Sequence, residues 1–377
     1  MNLARGKELR RSGRKHPQYY NDAGGEPRAS PRSPGLERRE SVESATCQGW
    51  YGAPCDVDTA RWMGQLAGVL AGKPLSRLRL PGTHDSGAYR LSYRRMAPGN
   101  LPGWLRRLNK LSWPLTRPIT GIVVGWARTQ DLDLHGQLCA GARYLDLRVM
   151  RSDAGDFYAV HGMRGPDMRE ILGDVARFLE EHEGEVVLLD INHFYRFRNL
   201  ADHEAFLALL SRALGPQLHR RDPALGPEVT LGAVQASGRR CVCLYGGCDF
   251  LGVSKAADEA GAWVRNERTI KSQWPRARTV EQLHDALPGL AAGGAQSRGF
   301  FVLQGVVTPD SKAYRSGLNP LGSGAPGLRD VAGRATPAVV ERVCSGDVRP
   351  PNVVMLDFLT EEHSRALLFA KYRRREP

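Results

Sequence analysis

Apolar runs alternate with amphipathic stretches along most of this chain after residue 60. Seven short runs rich in Val, Leu, Ile and Tyr predict strands, at residues 75–80, 144–149, 157–161, 186–193, 240–245, 300–307 and 353–358. Most of these runs are apolar at nearly every position. That pattern favours strands buried on both faces, as in a parallel sheet covered by helices.

Helix-like stretches lie between these runs, at residues 132–142, 168–182, 203–214, 280–287 and 361–372. Within 168–182, the apolar residues recur with the 3.6-residue period of one helix face, at Ile171, Leu172, Val175, Phe178 and Leu179. Repetition of strand and helix predicts an α/β fold, either a (β/α) barrel or a doubly wound sheet. We favour an irregular TIM-type barrel, because polar residues cluster at the C-terminal ends of successive strands, where barrel enzymes assemble their sites.

The beginning of the chain has a different composition from the rest. Residues 1–40 hold ten Lys and Arg against five Asp and Glu, in a chain of formal net charge +13. Few of these residues are large and aliphatic, so the stretch cannot bury enough apolar surface to offset chain entropy. We predict a disordered basic extension at residues 1–45 and a single barrel domain over residues 60–377. The extension is either a solvated tail or a segment attracted weakly to an anionic membrane surface.

Length and composition suit a sizeable core, since the chain has 377 residues of which 41% are hydrophobic. No apolar run reaches the roughly 18–20 residues that span a bilayer. Seven cysteines without regular spacing fit a reducing compartment better than a disulfide scaffold. We therefore expect a cytoplasmic monomer that meets membranes only peripherally and has no nucleic-acid partner.

Two histidines end similar apolar runs. His84 follows Leu80-Pro81-Gly82-Thr83, and His161 closes the run that begins at residue 157. Between them, Asp146 and Arg148 occupy alternate positions of one predicted strand and therefore share a face. A lone histidine at a strand end is more often a surface residue than a catalyst. An acid, a base, a carboxylate and a cation at neighbouring strand ends favour displacement at a phosphodiester.

Six motifs, in order along the chain, resemble the phosphatidylinositol-specific phospholipase C X-domain-containing proteins, eukaryotic relatives of the small bacterial enzymes. The motifs lie at residues 81–85, 137–148, 160–162, 185–189, 304–309 and 352–358. The resemblance implies an irregular TIM barrel and a phosphoric diester hydrolase of lipid degradation and signal transduction. Its expected substrate is a membrane phospholipid with a phosphatidylinositol-type headgroup, and its expected products are diacylglycerol and a cyclic inositol phosphate.

The same resemblance implies a role for each matching residue. His84 would be the general base that takes the proton of the inositol 2-hydroxyl, and His161 the general acid that protonates the departing diacylglycerol oxygen. Arg148 would bind the phosphate oxygens. Asp357 would hold the ring of His84 in the right tautomer, and Asp85 would support proton delivery by His161.

The predicted substrate contacts depart from the bacterial pattern. Asn192 or His193 stands where the bacterial enzymes have a lysine that contacts the inositol, and the run ending at Tyr245 lacks the arginine that precedes the tyrosine there. A later loop, which begins near Lys271 and also holds Trp274 and Arg276, either supplies the missing contacts or is a solvated rim. Headgroup recognition is therefore expected to rely on different donors.

No metal or other cofactor is expected. Calcium-dependent relatives surround the phosphate with acidic ligands, since a hard cation needs several oxygens. Here Arg148 would compete with a cation for that place. Asp146 either binds substrate or braces the site.

Two alternatives stay open. The first is a catalytically weak or inactive barrel that acts as a lipid- or partner-binding signalling protein, although binding alone does not need two titrating histidines. The second is a metal-dependent glycerophosphodiesterase. That enzyme would require a Glu-x-Asp pair of metal ligands on a strand. The corresponding strand of this chain has Asp146-Leu147-Arg148 instead.

Overall fold

The computed structural model describes residues 56–94, 120–121, 123–247, 250–294, 297–308, 327–348 and 351–369. Ten strands are described, β1 to β10 in chain order: Leu80–Thr83, Tyr144–Arg151, Phe157–His161, Met163–Asp167, Val187–Tyr195, Cys241–Tyr245, Trp263–Val264, Ile270–Gln273, Phe300–Gly305 and Val353–Leu356. The predicted extension at residues 1–45 lies outside the described residues, and its boundary with the barrel stays a prediction.

Helices accompany the strands, and those named here are α1 to α10 in chain order: Trp62–Gln65, Ala67–Leu70, Leu134–Cys139, Met168–Glu181, Leu200–Leu214, Leu231–Ala236, Val253–Glu259, Val280–Gly294, Leu328–Ser345 and Glu361–Phe369. Residues 120–121 and 123–127 are also helical. Short 3-10 turns lie at Leu75–Arg77, Gly215–Gln217 and Gly226–Glu228. None of the described helices combines the length and the apolar composition needed to cross a membrane.

Eight of the strands form a curled parallel sheet in the order β7-β6-β5-β2-β1-β10-β9-β8. Among the described residues no pairing joins β7 to β8, so the sheet forms an incompletely closed barrel. The predicted α/β, irregular TIM-type fold is confirmed.

Side chains alternate between the two faces of the sheet and fill two separate cores. The inner face carries apolar side chains over the first part of each strand, among them Leu80, Tyr144, Leu188, Val302 and Val353. The outer face packs against helices α4, α5 and α9, and the predicted apolar face of α4 is fully buried there. Because the inner apolar layer ends before the strands do, the C-terminal strand ends are left for polar residues.

Two predicted strands differ from the structure. Residues 75–80 were predicted as a strand, but they form a 3-10 turn at Leu75–Arg77, and the strand begins only at Leu80. Leu75 and Leu78 are fully buried in the same core, because residues three apart in a 3-10 turn share a side, and this produces an apolar run without extended backbone. Strand β3 has the predicted bounds but pairs antiparallel with β2 and with β4, so His161 reaches the barrel edge on a hairpin.

Several helices have bounds that differ from the predicted ones. Helix α3 is shorter than predicted, α5 begins three residues earlier, and α8 continues to Gly294 rather than ending at residue 287. Asn199 caps α5, since its side chain accepts a hydrogen bond from the amide of Asp202. Residues 370–372 of the last predicted helix lie outside the described residues.

A buried ion pair fastens the opposite end of the barrel. The guanidinium of Arg143, just before β2, donates to Glu185 Oε2 through Nε at 2.9 Å and Nη2 at 2.6 Å. Glu185 also accepts from the amides of Met63 and Gly64. Both charged groups are fully buried and hydrogen-bonded, which is the condition under which a buried pair is tolerated.

Candidate active site

Five polar side chains gather at the C-terminal ends of three adjacent strands. They are His84 and Asp85 after β1, Asp146 and Arg148 on β2, and Asp357 after β10. Each follows the inner apolar layer of its own strand, and β2, β1 and β10 are neighbours in the sheet. The structure therefore brings these five side chains together at one edge of the sheet.

The backbone holds His84 and Asp85 tightly. The amide of His84 donates to the carbonyl of Leu356 at 3.0 Å, and the amide of Asp85 donates to Asp146 Oδ2 at 3.0 Å. Asp85 has a φ of 40°, in the left-handed region that an aspartate tolerates better than most side chains. The buried amide of Gln130 donates to the carbonyls of both His84 and Leu356. Gln130 was not predicted, and it joins the ends of β1 and β10.

The ring of His84 is bonded at both nitrogens. Nδ1 lies 2.8 Å from Asp357 Oδ1, and Arg148 Nη2 lies 3.0 Å from Nε2. Because a guanidinium can only donate, Nε2 is the acceptor and Nδ1 carries the proton donated to Asp357. Burial lowers the pKa of His84, but Asp357 and Asp85 outweigh it, so that the pKa lies above its usual value. The ring therefore presents a basic Nε2 to the barrel opening.

His161 approaches from the β3–β4 hairpin and is held differently. Its Nδ1 donates to the carbonyl of Ala127 at 2.8 Å, and the centre of its ring is 5.8 Å from that of His84. Burial, together with the nearby positive charge of Arg148 and of His84, lowers the pKa of His161 to about 3. The two histidines thus have pKa values shifted in opposite directions.

Asp85 lies between the two histidines. Its Oδ2 is 3.3 Å from Nε2 of His84 and 3.3 Å from Nε2 of His161. Burial raises the pKa of Asp85 to about 6, although Arg148 and His84 oppose that rise. When both rings are neutral, the two Nε2 atoms that face Oδ2 are hydrogen-bond acceptors. One proton on Oδ2 therefore relieves the repulsion between this oxygen and the two nitrogens. The Asp85–His161 pair can therefore hold a single shared proton.

Arg148 connects the acidic residues of the cluster. Its Nε lies 2.8 Å from Asp85 Oδ1, and its Nη2 lies 3.8 Å from Asp146 Oδ2. Burial would lower the pKa of Arg148, but the negative charges of Asp85 and Asp146 outweigh burial, so the pKa lies above its usual value. Burial alone would raise the pKa of Asp146, yet Arg148, His84 and a hydrogen bond from Asn192 lower it to about 2. Asp146 therefore remains ionised and braces both Asp85 and Asn192.

A metal ion could in principle use part of the same cluster. Ligand atoms of His84, Asp85 and Asp146 lie within 4.8 Å of one another, the one such group among the described residues. The guanidinium of Arg148 already contacts all three of these side chains. A cation bound there would face a fixed positive charge at close range, so the donor set fits a metal poorly.

The remaining predicted substrate contacts do not all reach this cluster. Asn192 does, through Asp146, whereas His193 is exposed beside it and bonds to the Asn192 side-chain oxygen. Tyr245 is fully buried on the outer face, where its hydroxyl bonds to His203 at 3.0 Å. Lys271 also points outward and donates to the carbonyl of Gly293 on α8. A substrate-binding role for Tyr245 or Lys271 has no support from these positions.

The alternation of side chains along a strand explains which residue near Lys271 reaches the site. Ser272 and Trp274 alternate with Lys271 and therefore face inward, and the Trp274 ring lies 5.6 Å from the ring of His84.

Two further residues of the inner layer were not predicted from the sequence. They are Asp190 on β5 and Arg265 after β7, whose Nε lies 2.6 Å from Asp190 Oδ1. A charged residue within the apolar run of β5 was the available signal for Asp190.

Comparison with known proteins agrees with this fold. No family model matches the chain. It is 29% identical over 268 residues to PI-PLC X domain-containing protein 2 of Homo sapiens, which covers 70% of this chain and 82% of that protein. It is 27% identical over 296 residues to the variant-surface-glycoprotein phospholipase C of Trypanosoma cruzi, covering 74% of this chain and 75% of that protein.

A solved structure is also similar. The phosphatidylinositol-specific phospholipase C from Listeria monocytogenes matches with a TM-score of 0.56 and 17% identity, over 82% of this chain and 98% of that chain. At that level of identity the likeness concerns the fold, an α/β barrel of the TIM type.

Proposed function

We propose that this chain, which is similar to the PI-PLC X domain-containing proteins over most of its length, is a phosphodiesterase that cleaves a phosphatidylinositol-type membrane lipid without a metal ion. The observation that carries the proposal is Asp85 Oδ2, which lies 3.3 Å from Nε2 of both His84 and His161. A base and an acid on either side of one shared proton suit an in-line displacement at phosphorus.

His84 is the general base of this proposal. Its Nδ1–H is fixed by Asp357, so Nε2 is the nitrogen that takes the proton of the attacking headgroup hydroxyl. As the imidazolium forms, the carboxylate of Asp357 stabilises its charge. Attack by the hydroxyl next to the phosphate forms a cyclic inositol phosphate and breaks the bond to the diacylglycerol oxygen.

His161 and Asp85 supply the proton that the leaving oxygen takes. The low pKa of His161 rests on burial and on the positive charge of Arg148 and His84. A phosphodiester anion held by Arg148 would offset that positive charge and would draw the shared proton from Asp85 towards His161. Protonation of the diacylglycerol oxygen then completes the step.

Arg148 binds the phosphate oxygens and stabilises the negative charge that grows on them. In this structure its Nε lies 2.8 Å from Asp85 Oδ1, and its Nη2 lies 3.0 Å from His84 Nε2. Substrate binding must redirect Nη2 to the phosphate, which frees Nε2 of His84 to accept the proton. Two parallel donors on one planar group fit this task better than an ammonium.

The direct test uses vesicles of phosphatidylinositol, an excess of chelator and phosphorus NMR of the soluble products. The proposal predicts release of a cyclic inositol phosphate by the native chain and none by His84→Ala or His161→Ala. Vesicle binding without release of any phosphorylated product would instead favour a lipid-binding protein and overturn the proposed chemistry.

A further inference from the structure

A second guanidinium lies in the inner polar layer, away from the acid–base pair. Arg265 follows β7, and its Nε donates to Asp190 Oδ1 at 2.6 Å. Asp190 is completely buried, and its other oxygen accepts a hydrogen bond of 2.6 Å from the hydroxyl of Tyr144. Tyr144 belongs to the inner apolar layer, so this hydrogen-bonded chain rises from the floor of the barrel towards its opening.

The Arg265–Asp190 pair is connected to the proposed catalytic cluster. Asp190 and Asp146 are direct partners in the register between β5 and β2. The side-chain amide of Asn192 donates both to Asp146 and to the carbonyl of Asp190. The electrostatic field of Asp146 also extends to Arg265, whose pKa it helps to raise after the larger effect of Asp190. The pair is therefore part of the same polar layer as Arg148.

Arg265 is fixed on one side and open on the other. Its Nε is committed to Asp190, whereas its Nη groups have no protein partner within the described part of the chain. About a quarter of the side chain is accessible, since its relative exposure is 28%. A guanidinium held rigid at one edge keeps its remaining donors in a fixed plane at little cost in side-chain entropy.

We propose that Arg265 is a specificity-determining residue whose Nη groups donate hydrogen bonds to hydroxyl oxygens of the lipid headgroup. This inference rests on the proposed function and concerns the part of the headgroup that lies away from the scissile phosphate. Arg148 already serves the phosphate, and Asp190 neutralises Arg265 at close range. The open donors therefore suit neutral hydroxyl groups of a cyclic polyol.

Two soluble probes separate headgroup contacts from phosphate contacts. Myo-inositol 1-phosphate and glycerol 1-phosphate both carry a phosphate monoester, but only the first carries a ring of hydroxyl groups. The ratio of their dissociation constants, measured by calorimetry with the full chain, reports the ring contacts because the phosphate contribution cancels. Arg265→Gln should reduce the preference for the inositol ester by roughly tenfold or more, the usual effect of a lost charged hydrogen bond.

Matched variants keep this test falsifiable. Arg268→Gln removes the same charge from an exposed position in the same loop and should leave the ratio unchanged. The double variant D190N/R265Q removes both charges, so no buried charge is left unpaired and misfolding is less of a risk. It should lose the preference as Arg265→Gln does.

The outcomes distinguish this inference from the proposed function. A native chain that binds both probes equally, or an Arg265→Gln chain that keeps the native ratio, overturns the role of Arg265 while vesicle cleavage can still occur. Loss of the ring preference together with retained affinity for glycerol 1-phosphate supports it. If neither probe binds the native chain, this role and the phosphate-binding role of Arg148 are both wrong.

Discussion

Arg148 Nη2 lies 3.0 Å from His84 Nε2, so the residue proposed to bind phosphate donates a hydrogen bond to the nitrogen proposed to act as base. This contact fixes the His84 tautomer, because only an unprotonated Nε2 can accept it. In the proposed mechanism this contact would also couple two events. Arg148 would release His84 as it turns to the phosphate, so the base would become available when substrate is in place.

Replacement of Arg148 by lysine tests that coupling. Lysine keeps the charge but loses the planar pair of donors, so the native contacts with Asp85 and His84 cannot both form. We expect Arg148→Lys to lower kcat by roughly 10²–10³, the usual loss when a donor to a developing anion is removed. Arg151→Lys is the matched control, because Arg151 lies on the same strand but pairs with Asp202. Equal effects of the two variants would contradict the role of Arg148.

The Asp357–His84 contact predicts a shift in the pH profile. Burial lowers the pKa of His84, and the negative charge of Asp357 is the main influence that raises it. Asp357→Asn removes that charge, so the pKa of His84 should fall. The acid limb of kcat/KM, where the base becomes protonated, should then move to lower pH, and kcat should drop because the ring is held less well. An acid limb that stays in place would assign it to another group.

Chelation tests the role of Arg148 in place of a cation. The guanidinium contacts His84, Asp85 and Asp146, the three residues that could otherwise hold a metal. We expect the rate of vesicle cleavage to be the same with chelator as with added calcium. A rate that falls with chelator and recovers with calcium would show that a cation takes part.

The Arg143–Glu185 pair predicts a change in stability without a change in chemistry. Glu185→Ala leaves a buried guanidinium without its charged partner at the end of the barrel opposite the candidate site. The free energy of unfolding should fall by about 3–5 kcal/mol, as when one partner of a buried pair is removed. Glu183→Ala, an exposed neighbour, should leave the melting temperature unchanged.

Activity per folded molecule is the second readout for that variant. Because Glu185 lies outside the candidate site, kcat at a temperature where the variant is folded should match the native value. A Glu185→Ala chain that melts normally would show that backbone carbonyls, such as those of Leu138 and Ala142, satisfy Arg143 alone.

Much of the fold and of the central cluster followed from sequence. The alternation of apolar runs and helix periods predicted the barrel, and residues at the ends of the runs, such as His84, Asp146 and Arg148, do meet. Register across a parallel sheet brings successive strand ends to one edge whatever the loops between them. Long-range neighbours, such as His84 and Asp357, are placed by that rule alone.

The sequence predicted the headgroup contacts less well, because they depend on strand parity. A shift of one residue moves a side chain from the inner to the outer face, and the resemblance around Tyr245 did not fix which face that residue occupies. In the structure Tyr245 and Lys271 face outward, whereas Trp274 faces His84. The antiparallel pairing of β3 was hidden for a similar reason, since an apolar run does not reveal the direction of its partner.

His84 is proposed as the general base and His161 as the general acid. A change of leaving group tests these two roles most directly. In an aryl phosphodiester of inositol, such as the 4-nitrophenyl ester, the phenolate leaves without protonation. The diacylglycerol oxygen must be protonated as it leaves. His161→Ala should lose roughly 10²–10⁴ in kcat on the lipid but little on the aryl ester, and His84→Ala should lose activity on both. Equal losses by His161→Ala on the two substrates would contradict its assignment as the general acid.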